Sequence, residues 1–139
     1  MISELMIDDY FEYLSLMNNF RPVNVKMSKD EFANIYKKIQ SNGKIFVYQV
    51  DNKIVASITI IEEYKFINNN GKVCHIEDVF VNKDFRKKGI ATNLIEYVKK
   101  YCIKNKFYKM ILNCDYELIT YYEKFNFEKK YSMMYYFNH

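Results

Sequence analysis

Glycine and proline are nearly missing from these 139 residues, which contain three Gly and one Pro. So few chain breakers exclude a collagen-like repeat, a flexible linker and a low-complexity chain. Cysteine is scarce as well. Cys74, Cys102 and Cys114 are odd in number and far apart. That excludes a disulfide framework and a metal-ligand spacing, and it suits reduced thiols in a cytoplasmic compartment. No apolar run approaches the roughly 20 residues of a membrane span; the most apolar stretch, Ile54 to Ile61, contains Ser57 and Thr59. The opening Met1 to Leu14 is acidic and lacks the basic and apolar regions of a secretory signal. Excess charge is also slight. Against 17 Asp and Glu stand 21 Lys and Arg, a net +4, too little for a dedicated nucleic-acid binder but suited to an anionic small molecule.

What is present is a core-forming composition, half apolar and 27% charged. A chain of this length buries about two-thirds of its unfolded surface, so one domain over 1–139 needs no staples. Asp8 and Asp9 precede Tyr10, Phe11, Leu14 and Met17 at helical spacing, and acidic residues favour a helix start there. Ser28-Lys29-Asp30-Glu31 is a capping box, followed by a stripe of Phe32, Ile35, Tyr36 and Ile39. Gly43 stands where that helix is expected to stop. The period then changes. Lys44–Val50 and Lys53–Tyr64 are β-branched and aromatic, and Asp51-Asn52 between them predicts a tight hairpin. Asn68-Asn69-Asn70-Gly71 is a second turn, leading to an apolar strand over Val73–Val81. Further elements are a helix from Gly89 with Ala91, Leu94, Ile95, Val98 and Cys102 on one face, a strand over Phe107–Cys114, a helix over Glu117–Phe125 and a closing strand over Tyr131–Phe137. Hairpins first and helix–strand alternation afterwards predict an α+β (mixed α/β) sheet with about four helices. No internal repeat or linker divides the chain.

The segment richest in chemistry is Val79-Phe80-Val81-Asn82-Lys83-Asp84-Phe85-Arg86-Lys87-Lys88-Gly89-Ile90-Ala91. A strand enters a basic loop, then Gly and a small residue open a helix. The first amides of a helix have no internal partner, and the helix dipole adds positive charge, so such a terminus suits a phosphate or pyrophosphate. The same residues are also compatible with a plain solvated loop, and neither the P-loop nor the dinucleotide-binding glycine pattern is present.

Arg86-x-x-Gly89-x-Ala91 after an apolar strand resembles the acetyl-coenzyme A signature of the GNAT acetyltransferases. Longer runs are similar to the glucosamine-6-phosphate N-acetyltransferases within that superfamily: Ile61–Ile67, His75-Ile76-Glu77-Asp78-Val79-Phe80-Val81, Phe107–Cys114 and Tyr121–Phe127. The resemblance implies a bent mixed sheet whose two central parallel strands, Glu77–Val81 and Phe107–Cys114, splay apart around acetyl-coenzyme A. It implies cofactor contacts from Val79, Phe80, Val81, Arg86, Lys87, Lys88, Gly89, Ile90, Ala91, Tyr122 and Lys124. The catalytic groups it implies are the Val79 amide facing the thioester oxygen, Tyr122 protonating the leaving thiolate, and Asp78 at the acceptor amine. Lys65, Phe66, Ile67, Asn68, Glu77, Asp78, Tyr108 and Lys109 would form the sugar-phosphate site, completed across a homodimer. Arg21 is a weaker phosphate candidate.

Other assignments stay open at this level. Tyr122 is equally a core aromatic in a chain with 14 Tyr, and Lys65 and Lys109 are equally surface lysines. Glu77 and Asp78 are adjacent in a strand and point to opposite faces unless a bulge intervenes. His75 reads as structural or surface, and Cys114 has no adjacent His to make it a nucleophile. Asn126 replaces a Gly that usually follows the last helix, a position at which Asn tolerates the left-handed cap. The expected product is N-acetylglucosamine 6-phosphate for UDP-GlcNAc synthesis, with no metal, nucleic acid or membrane involved. A GNAT acting on glucosamine, a polyamine or a protein N-terminus, and a non-catalytic acyl-coenzyme A sensor, are the alternatives.

Overall fold

The computed structural model describes residues 1–138. Five strands form one sheet in the order β1-β2-β3-β4-β5: β1 (Ile2–Glu4), β2 (Gly43–Val50), β3 (Lys53–Tyr64), β4 (Lys72–Val81) and β5 (Phe107–Leu112). The first four are antiparallel to their neighbours, whereas β4 and β5 are parallel. Helices α1 (Tyr10–Asn18) and α2 (Lys29–Gln40) cover one face, and α4 (Ile90–Lys104) covers the other. The α4 core joins Ile58, Ile60, Cys74 and Ile76 of the sheet to Ile90, Leu94, Ile95, Val98 and Cys102. Ile90 takes the buried place expected of Ala91, which is half-buried. On the opposite face Leu5, Leu14, Phe32, Tyr36, Ile45, Val47 and Phe80 form a second core.

Local signals hold where the interaction is local. The Ser28 hydroxyl accepts the Glu31 amide at 3.1 Å while the Glu31 carboxylate accepts the Ser28 amide at 2.8 Å, an arrangement that contributes about 1 kcal/mol to a helix start. Asp51 and Asn52 both have positive φ, 49° and 62°, as a two-residue hairpin turn requires. Asn126, at φ 66°, is left-handed as its helix-ending place demands. The turn α3 (Ile67–Asn70) winds left-handed through Asn68, Asn69 and Asn70, conformations that Asn adopts more readily than most residues.

Two expectations fail, and one strand goes unforeseen. Gly43 does not end α2, which Ser41 caps; it opens β2, where a Cβ would stand 2.3 Å from the Ile60 carbonyl oxygen. Its smallness is required by the approach of β3 rather than by a helix cap. The unforeseen strand is β1, which pairs with β2 although its three residues carry no alternating pattern. The second failure is the closing strand over Tyr131–Phe137, which does not form. That stretch is irregular, with Tyr131, Met134 and Tyr136 more than four-fifths exposed. A strand needs an edge to pair with, and this segment occupies none in its own chain; α5 (Ile119–Glu123) is the last regular element.

Candidate active site

The parallel pairing of β4 and β5 runs from Lys72–Phe107 to Ile76–Leu112 and stops there. Beyond Ile76, β4 continues for five residues with one edge open. Its other edge stays on β3, where the Asn82 amide donates to the Val55 carbonyl at 2.8 Å. Backbone groups of successive strand residues alternate between the two edges, so those of Val81 and Val79 face the open side. The Val81 carbonyl there accepts the Arg86 Nε–H at 3.0 Å, and a carbonyl keeps a second acceptor site. The Phe80 side chain points away from this edge. It is buried under α1, stacked on Phe20 at 5.2 Å, and leaves only its backbone to the wedge.

The loop after β4 leads into the N-terminus of α4. Gly89 caps it at φ 77°, with open space where a Cβ would stand, and Lys87 is left-handed at φ 61°. The Asn93 amide makes the first intrahelical bond, to the Gly89 carbonyl at 3.0 Å. The amides ahead of it thus lack helical partners and gather at a positive helix end. Ile90 is buried, so it offers only its amide, and the Lys88 ammonium lies over the Phe85 ring at 5.1 Å. An acyl-coenzyme A fits these features: an open strand edge for the pantetheine amides, and free amides with Arg86, Lys87 and Lys88 for the pyrophosphate.

Tyr122 comes from α5. It is buried in the same core that Val79, Val81 and Cys114 border, against Tyr121 at 5.2 Å and Phe127 at 6.0 Å. Burial, with smaller contributions from Tyr121 and Cys114, pushes its hydroxyl up to about 12, so it remains a proton donor throughout the neutral range. Burial also pushes the Cys114 thiol up, the opposite of what a nucleophile needs. Lys124 sits exposed at the end of α5.

A bulge interrupts β4 at its open stretch. Thr59 pairs with Glu77 and Ser57 with Phe80, so Asp78 and Val79 together oppose Ile58. Asp78 carries the bulge at φ 48°. This breaks the alternation expected of neighbouring strand residues, and both Glu77 and Asp78 are exposed. Glu77 borders a groove of about 320 Å³ with Asn42, Ile61, Glu62, Glu63 and His75. Glu63 holds Lys65 at 2.7 Å and approaches His75 at 3.6 Å. The pairing raises the Lys65 ammonium and lowers the Glu63 carboxyl. Lys65 is therefore already partnered, whereas Lys109 is exposed, its ammonium over the Tyr108 ring at 5.6 Å. Tyr108 in turn packs on Gly71, where a Cβ would stand 2.6 Å from its ring. Phe66 and Ile67 extend into solvent at the α3 turn with Asn68.

The structure thus gathers Lys65, Glu77 and, through Gly71, Tyr108 and the α3 turn around one side of β4. His75, Glu63 and Asn42 also line that groove. Their signal in the sequence was only the strand alternation that sets His75 and Glu77 on one face. Among the described residues no group of three or more His, Cys, Asp or Glu is placed to hold a metal, and no helix is long and apolar enough to cross a membrane.

A sheet that opens beside an exposed helix N-terminus is the layout of an acyl-transfer fold, and residues 4–127 match the acetyltransferase (GNAT) family. This chain belongs to that family. It is 38% identical over 112 residues to glucosamine 6-phosphate N-acetyltransferase 1 of Dictyostelium discoideum, covering 76% of this chain and 70% of that one. The crystal structure of glucosamine-6-phosphate N-acetyltransferase from Arabidopsis thaliana superposes with a TM-score of 0.90 at 30% identity, over 99% of this chain and 97% of that one. An acetyltransferase structure from Trypanosoma brucei gives 0.91 at 26% identity, covering 99% of each.

Proposed function

We propose that this chain, as one acetyltransferase domain, moves an acetyl group from acetyl-coenzyme A to the 2-amine of glucosamine 6-phosphate. The product is N-acetylglucosamine 6-phosphate, for UDP-GlcNAc synthesis. The observation that carries the reading is the end of β4–β5 pairing at Ile76–Leu112, directly before the free α4 amides. The names of the Dictyostelium and Arabidopsis relatives support the acceptor. The three free thiols support a cytoplasmic setting.

In this reading the amides around Lys87–Ala91 and the Arg86–Lys88 cations hold the pyrophosphate, and Val79 and Val81 bond the pantetheine arm. The bound cosubstrate supplies an activated thioester, and both substrates are held at once for direct attack. The Val79 amide faces the carbonyl oxygen as negative charge develops there. Asp78 and Glu77 hold the sugar amine at the bulge, Asp78 nearest the attacking nitrogen. Tyr122 gives its proton to the departing sulfur, and the proton shed by the attacking nitrogen leaves through water, which restores the Tyr122 hydroxyl. Lys109 meets the phosphate, Lys65 assisting once Glu63 releases it. A homodimer completes the sugar site across its interface.

The test compares wild-type kcat/KM for glucosamine 6-phosphate and glucosamine. A charge-assisted bond to phosphate contributes about 1.5–3 kcal/mol, so the phosphosugar is expected to be favoured about 10- to 100-fold. Lys109→Ala abolishes most of that preference by raising the phosphosugar KM and leaves activity on glucosamine nearly intact. Lys65→Ala has a smaller effect because Glu63 already neutralises that ammonium. Equal efficiency on the two sugars in the wild type overturns the phosphosugar assignment and leaves acetyl transfer standing.

A further inference from the structure

The peptide between Val81 and Asn82, at the end of β4, is bonded on both sides. Its amide donates to the Val55 carbonyl of β3 at 2.8 Å, and its carbonyl accepts the Arg86 Nε–H at 3.0 Å. A trans peptide is planar, with its N–H and C=O directed oppositely. The carbonyl therefore lies on the edge that β5 leaves open beyond Ile76. Arg86 reaches back to it because the chain turns at once. The Asn82 side chain accepts the Asp84 amide at 3.0 Å, and a 3-10 turn over Lys83–Phe85 follows.

The Arg86 guanidinium also lies over the Phe80 ring, 5.6 Å from its centre. That ring is buried and stacked at 5.2 Å on Phe20, just beyond α1. No ion pair engages Arg86 among the described residues. An exposed arginine is thus held by a ring face and a backbone carbonyl. Polar satisfaction does not require this, since water serves an exposed edge carbonyl as well. Stability gains little either, because a solvent-exposed cation over a ring is weakly held. What the two contacts fix is the direction of the Val81 carbonyl, on a stretch of β4 that no strand flanks on that side.

We infer that Arg86 is a positioning residue for the pantetheine arm: seated on Phe80, its Nε–H pins the Val81 carbonyl, so that the open edge of β4 is set before the cosubstrate arrives. This rests on the reading of that edge as the seat of the pantetheine amides. The carbonyl keeps a second acceptor site for a pantetheine N–H, and a peptide plane already fixed removes an ordering cost from binding. The terminal nitrogens of Arg86 remain for the pyrophosphate, so the role of the Nε–H is separate from that of the charge. Phe20 stacks on the same Phe80 ring, so the chain beyond α1 helps to hold the seat.

Arg86→Lys and Arg86→Gln separate the donor from the charge. Gln Nε2 stands the same number of bonds from the backbone as Arg Nε, and its amide is planar. Lys keeps the charge but has a methylene at that place and no planar group. Calorimetry measures the affinity of each protein for coenzyme A and for adenosine 3′-phosphate 5′-diphosphate, which carries the pyrophosphate without the pantetheine arm. The quantity read is the gain in affinity from the second probe to the first, in which charge lost at the pyrophosphate cancels. Arg86→Lys is expected to lower that gain about tenfold, as when a hydrogen bond from a charged group is lost, and Arg86→Gln to keep it within about threefold. A general loss of structure would instead weaken both probes alike. An undiminished gain in Arg86→Lys overturns the inference, and so does an equal loss in the two variants. A wild-type protein that binds both probes equally well overturns the reading of the edge, and the inference with it.

Discussion

Tyr122 is buried with its ring against Tyr121 and Phe127, where a phenolate is poorly solvated. The folded chain therefore keeps that proton up to about pH 12, whereas an unfolded Tyr releases it near 10. Folded-state proton affinity is the higher, so its contribution to stability is complete below pH 10 and is lost as pH climbs toward 12. The loss amounts to about 1.4 kcal/mol per pH unit in that window. Tyr13, Tyr36, Tyr101 and Tyr121 are shifted in the same direction and add to the alkaline fall. Urea unfolding between pH 9 and 11 should show a shallower decline for Tyr122→Phe than for the wild type. The same variant should turn over roughly 10- to 1000-fold more slowly with little change in acetyl-coenzyme A affinity, as when a positioned acid is lost. Normal turnover in the folded variant would reduce Tyr122 to a packing residue.

In the proposed binding mode, the element that decides cosubstrate binding is the connection from β4 to α4. Its conformation depends on two left-handed residues flanking Lys88: Lys87 at φ 61° and Gly89 at φ 77°. A Cβ on Gly89 meets no atom within 4 Å, so Gly89→Ala strains the backbone by about 1–2 kcal/mol without a clash. Gly89→Glu adds a negative charge where the helix end and three basic residues prefer an anion. Calorimetry on the two folded variants should find a modest loss of acetyl-coenzyme A affinity for Gly89→Ala and at least a further tenfold loss for Gly89→Glu. Equal affinities for both would show that the anion does not sit at this helix end.

At the scale of the whole molecule, the β5 edge and the C-terminal segment both leave large side chains exposed. Tyr108 and Ile111 are exposed on β5, the last strand of the sheet. Residues 131–136 present Tyr131, Met133, Met134, Tyr135 and Tyr136 to solvent. So many exposed large side chains suit an interface. The proposed homodimer predicts a two-chain species at micromolar concentration in sedimentation velocity. A chain ending at Phe127, which retains every residue of both cores, should sediment as a folded monomer with an unchanged thermal midpoint. A full-length monomer under the same conditions would end the dimer proposal.

Whatever depends on a few neighbouring residues could be read from the sequence alone. The Ser28–Glu31 box starts α2, Asp51-Asn52 turns the hairpin, Asn126 ends α5, and Arg86-x-x-Gly89-x-Ala91 marks the basic loop before α4. Each is an interaction closed within one turn of chain, so the residues that make it are adjacent in the string. The mixed sheet followed from the order of such pieces, and the family from the resemblance of Arg86-x-x-Gly89-x-Ala91 and the runs around it to the acetyltransferase signature. Long-range pairing decided the remainder. Gly43 looked like a helix stop because its true neighbour, the Ile60 carbonyl, lies 17 positions away. The bulge at Asp78 exists only because Ile58 faces two residues, and that register is a property of β3 and β4 together. Phe20 meets Phe80 only after α1 docks on the sheet, and the strand-like Tyr131–Phe137 stays irregular because strand formation requires an edge as well as a propensity.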